Sequence, residues 1–138
     1  MLLRKNAKLE LLKRVPLFES CSRHELQGIA QIADEVSLPA GRTLMREGQH
    51  GREFMVLVEG QAEVRRQGVR LRELEAGDFL GEIALVADVP RTATVTALTP
   101  VGILLLTARD FKTLMRDVPS LQRKVLYTLA MRLPPEFQ

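Results

Sequence analysis

A glycine, a glutamate and an arginine near the middle of the chain have the types and spacing to hold an anion. Gly81 and Glu82 come just after a turn at Glu75-Ala76-Gly77-Asp78, and Arg91 stands directly behind Pro90. Between them a short apolar run starts at Ile83-Ala84-Leu85-Val86, with room for about one or two helical turns. The N-terminus of a helix presents unpaired backbone N–H groups and partial positive charge, which suits an anion. Gly81 has no Cβ to keep backbone away from a ligand. Arg91 can add the paired, charge-assisted bonds that a phosphate accepts. Glu82 is the odd member, because a carboxylate repels a phosphate. Its sensible task is to accept a hydrogen bond from an uncharged group such as a sugar hydroxyl. Phosphate, hydroxyl and apolar surround together describe a nucleotide. The bland alternative is a structural ion pair between Glu82 and Arg91, which accounts for neither the glycine nor the Pro-Arg-Thr-Ala-Thr run that follows.

Other chemistries have little to work with. His24 and His50 are the two histidines of the 138 residues, one in the first turn of an expected helix and one in a Gly-flanked turn. No His and carboxylate cluster for a metal and no nucleophile–base pair emerges, so neither a metal nor an enzyme is expected. Net charge is +3, from 20 basic and 17 acidic residues, too even a balance for nucleic-acid binding without a concentrated patch. A helix-turn-helix would need chain beyond the last expected helix. Cys21 is the single cysteine, which rules out an intramolecular disulfide and fits a reducing cytoplasm. No run approaches the ~18 apolar residues of a membrane span, and the charged first residues do not form a signal peptide.

The elements that must position the site follow from periodicity and breakers. Residues 6–15 read as a short helix with Leu9, Leu12 and Val15 on one face. Pro16 ends it, and its apolar face is expected to pack on the domain itself. Ser22 and Glu25 form a capping box, with Cys21 and Leu26 at the staple positions, for a helix to about Ala33 that buries Leu26, Ile29, Ala30 and Ala33. Cys21 is then a packing thiol, although its place beside a helix N-terminus leaves open a reactive one. Strands are expected at 35–38, 43–47, 53–59, 61–67, 69–74, 92–98 and 101–107, separated by glycine-bearing turns. Many short strands so punctuated indicate an antiparallel sandwich, barrel or jelly roll. In Phe54-Met55-Val56-Leu57-Val58 and in Ala62-Glu63-Val64-Arg65 one face is expected to be core and the other mixed. A helix through Arg116 starts at Thr107 or Ala108. Another runs from Pro119, at its first position, to Leu133.

Residues 79–95 resemble the phosphate-binding cassette of the cyclic nucleotide-binding domain family. Leu80-Gly81-Glu82-Ile83-Ala84-Leu85 and Pro90-Arg91-Thr92-Ala93-Thr94-Val95 match its two halves, with Leu80 where the family often has Phe. Val15-Pro16-Leu17-Phe18 is similar to the phrase before the family's first helix pair. The resemblance implies an α+β, mainly β fold: an antiparallel β-roll of about eight short strands, N-terminal helices, a short cassette helix and two C-terminal helices. One domain is expected over 1–138, with helices in 1–33, the roll in 34–107 and helices in 108–133. By resemblance, Arg91 binds the exocyclic phosphate with backbone N–H groups around Ile83 and Ala84, and Glu82 takes the ribose 2′-hydroxyl. Gly81 permits close approach, Val64 touches the nucleotide, and the Thr92 hydroxyl favours tolerance of guanine. Thr92 is equally readable as an ordinary β-branched strand residue. The expected function is a non-catalytic sensor of cyclic AMP or cyclic GMP, without further cofactor. Its last helix would act as lid and moving element, with Tyr127 and Met131 the side chains to inspect. Partners would be the nucleotide and, through the terminal helices, a second copy or an effector protein. The alternative is a degenerate domain of the same fold that binds no nucleotide and serves as a scaffold.

Overall fold

The computed structural model describes residues 5–15, 18–19, 21–51, 53–81 and 90–132. In chain order these form α1 (Lys5–Arg14), α2 (Arg23–Ile32), β1 (Asp34–Leu38), β2 (Thr43–Met45), β3 (Glu53–Glu59), β4 (Ala62–Arg66) and β5 (Val69–Leu74). There follow β6 (Phe79–Leu80), β7 (Thr94–Ala97), β8 (Val101–Thr107), α3 (Ala108–Asp117) and α4 (Pro119–Arg132). The strands make two antiparallel sheets, ordered β1-β8-β3-β6 and β2-β7-β4-β5. This is the expected β-roll with helices at both ends. The expected cassette helix falls outside the described residues, as does any account of 82–89.

Two apolar layers hold the roll together. Met55 and Leu57 of β3 and Ile103 of β8 face inward and meet Ala62, Val64, Leu74 and Val95 of the other sheet. The alternate residues, Phe54 and Val56 of β3 and Leu104 and Leu106 of β8, face outward into a second cluster built by the helices. Phe54 stacks on Phe111 of α3 at 4.7 Å between ring centroids and lies 5.5 Å from Phe79. Burying an aromatic ring of this kind contributes about 1.5–3 kcal/mol. This corrects one expectation. The 54–58 stretch is not core on one face and mixed on the other; its residues 54–57 are all buried, because helices cover the outer face of that sheet. The β4 pattern keeps the expected alternation, with Ala62 and Val64 buried and Arg65 exposed.

The helix ends follow their caps. Ser22 Oγ accepts from the Glu25 amide at 3.1 Å, and Glu25 Oε1 accepts from the Ser22 amide at 2.7 Å, so the capping box is complete. Replacing Ser22 with alanine is expected to cost about 1 kcal/mol, read as a lower urea midpoint at unchanged slope. Cys21 packs against the helical cluster, and burial, reinforced by Glu25, pushes its thiol pKa up. That is the packing thiol and not the activated one. Lys8 Nζ donates to the carbonyls of Ala30 and Ala33, each at 3.2 Å, and so closes the C-terminus of α2 with a cation. Thr107 caps α3 through the Asp110 amide. Leu9, Leu12 and Val15 are all buried, so the apolar face of α1 is spent on its own domain. The α4 helix buries Leu121, whereas Leu126, Tyr127 and Met131 stand exposed.

Two strand boundaries moved by two residues, and one short strand was added. β2 stops at Met45, because 46–51 turns inward to meet Arg91. β7 starts at Thr94, because the Arg91 backbone pairs with that same loop. Phe79 and Leu80, expected only as the start of the cassette, pair with Val56 and Met55 as the short β6.

Candidate functional site

The arginine expected to carry the chemistry is the one buried charged residue among the described residues, 6% exposed. Burying a guanidinium is costly unless its donors are used, and the fold supplies acceptors for it. Arg91 Nη1 donates to the Gly81 carbonyl at 3.1 Å and Nη2 donates to the Glu53 carbonyl at 3.0 Å. Its backbone is clamped as well. The Arg91 amide donates to the Gln49 carbonyl at 2.8 Å, and the Gly48 amide donates to the Arg91 carbonyl at 2.9 Å. The side chain therefore stands at a junction of three segments: the 46–51 loop, the start of β3 and the exit of β6.

Two glycines make the space. Gly81 has φ +96°, and a Cβ there would lie 2.5 Å from the Glu53 carbonyl oxygen and 3.0 Å from Arg91 Nη1. Its backbone conformation and its close approach both require glycine. Gly51 is stricter toward the arginine. A Cβ on it would fall 1.8 Å from Nε, 2.0 Å from Cζ and 2.1 Å from Nη2 of Arg91. The guanidinium thus lies directly over the bare Cα of Gly51.

Gly51 escaped the sequence reading, in which Gly48-Gln49-His50-Gly51 was only a turn. A signal was present: one glycine suffices for that turn. Gly48 takes the left-handed conformation, φ +86°, and Gly51 does not. A second glycine without a backbone reason points to something packed against it. Gln49 and Glu53 act through backbone carbonyls, which leave no trace in residue type.

Of the other expected site residues, Gly81 and Arg91 are brought together as described. Thr92 is half-buried beside Arg91. Val64 lies in the inner cluster, paired with Val95 of β7 and Arg72 of β5. Glu82, Ile83 and Ala84 lie outside the described residues, and so does the alternative Glu82–Arg91 pair. His24 and His50 are exposed. Among the described residues no helix is long and apolar enough to cross a membrane. What the site can do chemically follows from the arginine. The Gly81 and Glu53 carbonyls orient its planar fork, next to the 82–89 segment.

A two-sheet roll with a glycine-cradled, buried arginine defines a class that comparison identifies. The family model described as the cyclic nucleotide-binding domain matches residues 35–118. The chain belongs to the cyclic nucleotide-binding domain family. It is 36% identical over 119 residues to the cAMP-dependent protein kinase regulatory subunit of Emericella nidulans, a match covering 85% of this chain and 29% of that protein. It is 35% identical over 123 residues to a cyclic nucleotide-gated potassium channel of Rhizobium etli, covering 89% of this chain and 34% of the channel. The chain thus spans about a third or less of the length of these relatives. Among solved structures it is similar to the regulatory domain of Toxoplasma gondii PKA co-crystallised with cAMP. That likeness has a TM-score of 0.80 at 27% identity over 91% of this chain and 50% of that one.

Proposed function

We propose that the chain is a non-catalytic regulatory domain that binds a cyclic nucleotide, with cyclic AMP the preferred ligand. The observation that carries this reading is the Arg91 guanidinium, buried, flat on Gly51 and held by the Gly81 and Glu53 carbonyls. Such an arrangement fixes a bidentate cation in place before any ligand arrives, which lowers the ordering cost of binding a phosphate. The Toxoplasma gondii domain was crystallised with cAMP, which supports the choice of ligand.

In this reading Arg91 takes the exocyclic phosphate, with backbone N–H groups of Ile83 and Ala84. Glu82 takes the ribose 2′-hydroxyl, Gly81 gives the ligand access, Val64 lines the nucleotide and Thr92 bears on the choice of base. Residues 1–138 act as one cytoplasmic domain, without a metal or a second cofactor. Binding orders the cassette and shifts α4, whose exposed Tyr127 and Met131 are available to close over the base or to meet an effector or second copy.

The test is thermal stability with cyclic AMP, cyclic GMP and, as an open-phosphate control, 5′-AMP. Ligand at a hundred times its dissociation constant adds about 2.7 kcal/mol, a rise of several degrees in Tm for a domain of this size. Cyclic AMP should produce it and 5′-AMP should not. No shift with either cyclic nucleotide at millimolar concentration would leave a scaffold with a vestigial site.

A further inference from the structure

Glu47 joins three segments that meet around Arg91. It follows β2, near the start of the loop that runs to Gly51. Its backbone amide donates to Thr94 Oγ1 at 3.0 Å, at the start of β7. Its next two neighbours hold the arginine backbone, Gly48 by donating to the Arg91 carbonyl and Gln49 by accepting from the Arg91 amide. Residues 47–49 therefore clamp 91–94 at both ends, and the guanidinium rests on Gly51 of the same loop. The side chain of Glu47 reaches the third segment. Its Oε1 accepts from the Gln67 amide at 2.9 Å, in the turn between β4 and β5. Gln67 is the one non-glycine residue with a positive φ, +52°, among the described residues. A side chain in that region is unfavourable and persists where its surroundings fix it. Two bonds fix this turn. Arg65 Nη1 donates to the Gly68 carbonyl at 2.9 Å, a tie within the hairpin, whereas the Glu47 tie comes from the loop that holds the arginine.

We propose that Glu47 is a positioning residue for phosphate binding: it fixes the 46–51 loop against the β4–β5 turn and thereby fixes the place of the Arg91 guanidinium. This rests on the reading of Arg91 as the phosphate ligand. What the turn needs from residue 47 is an acceptor oxygen, which a glutamine also carries. The Thr94 hydroxyl serves the same loop by accepting from the Glu47 amide. Loss of either bond frees the loop, and ordering the arginine then counts against binding.

The experiment follows two signals in the whole chain. Without nucleotide, proton–nitrogen NMR reads the Arg91 Nε–H resonance, assigned by its loss in Arg91→Lys. Calorimetry then gives the affinity for cyclic AMP. Glu47→Ala, checked for folding by circular dichroism, should move that resonance and weaken cyclic AMP by about threefold to tenfold, the scale of one hydrogen bond's net contribution. Glu47→Gln should restore both signals. Thr94→Val keeps the branched shape without the acceptor and should act like Glu47→Ala, whereas Thr94→Ser should not. The Thr94 pair carries the same test if Glu47→Ala unfolds. An unmoved resonance, a moved resonance at wild-type affinity, or a Glu47→Gln protein as weak as the alanine variant would overturn the proposal. Wild-type chain that binds neither cyclic AMP nor cyclic GMP would overturn the sensor reading and with it the role in phosphate binding. The ligand-free resonance keeps that failure distinct, because it reports whether Glu47 places Arg91 at all.

Discussion

Replacing Arg91 with alanine is expected to lower the affinity for cyclic AMP by about 30-fold to 4,000-fold. Removing one partner of a desolvated charge pair costs about 2–5 kcal/mol, and each 1.4 kcal/mol is about tenfold in affinity. The substitution also leaves the carbonyls of Gly81 and Glu53 without the donors they now have, at about 1–3 kcal/mol for each that stays dry. Arg91→Ala should therefore also melt earlier than wild type without ligand. Arg91→Lys separates charge from geometry. A lysine keeps the charge, but as a point donor it cannot reproduce the planar fork that meets both carbonyls and a phosphate. Calorimetric affinities in the order wild type, Lys, Ala are expected. A lysine variant equal to wild type would show that net charge suffices and that the cradle is incidental.

The second large effect is expected at a residue that touches the site with no side chain at all. Gly51→Ala should weaken cyclic nucleotide binding by about tenfold to a hundredfold, an effect of roughly 1.4–2.8 kcal/mol, while the domain stays folded. Its Cβ would sit 1.8–2.1 Å from three guanidinium atoms of Arg91, so the arginine has to leave its present place. Gly51 is not in the left-handed region, so alanine brings no backbone strain there, and the obstruction is the end of a side chain. Gly81→Ala differs, because it meets the Glu53 carbonyl at 2.5 Å from a φ of +96° and so should cost stability as well as affinity. Titrations and thermal melts of the two variants would separate these cases. A Gly51→Ala protein with wild-type affinity would mean that Arg91 acts from another position.

Much of this was legible in the sequence, for reasons that individual residues make plain. Ser22 and Glu25 announce a helix start because the capping box is a local exchange of two hydrogen bonds. Val69–Leu74 and Val101–Thr107 emerge with their bounds intact because turn residues flank both. Arg91 stands out because a charged residue behind a proline, in register with Gly81 and Glu82, has few bland explanations. The double burial of β3 was not legible, since an unbroken apolar run does not say which neighbour covers each face. The cradle was hidden for a related reason. Gly51, Gln49 and Glu53 are far from Arg91 along the chain, and two of them act through carbonyls that every residue possesses.

Calorimetric titration of the purified chain with cyclic AMP, run beside Gly51→Ala and Arg91→Ala, tests the central claim most directly. The account predicts saturable binding of one nucleotide per chain to wild type, weakened by the glycine substitution and lost with the arginine. Absence of heat at millimolar cyclic AMP and cyclic GMP, or binding that survives loss of Arg91 undiminished, would contradict it.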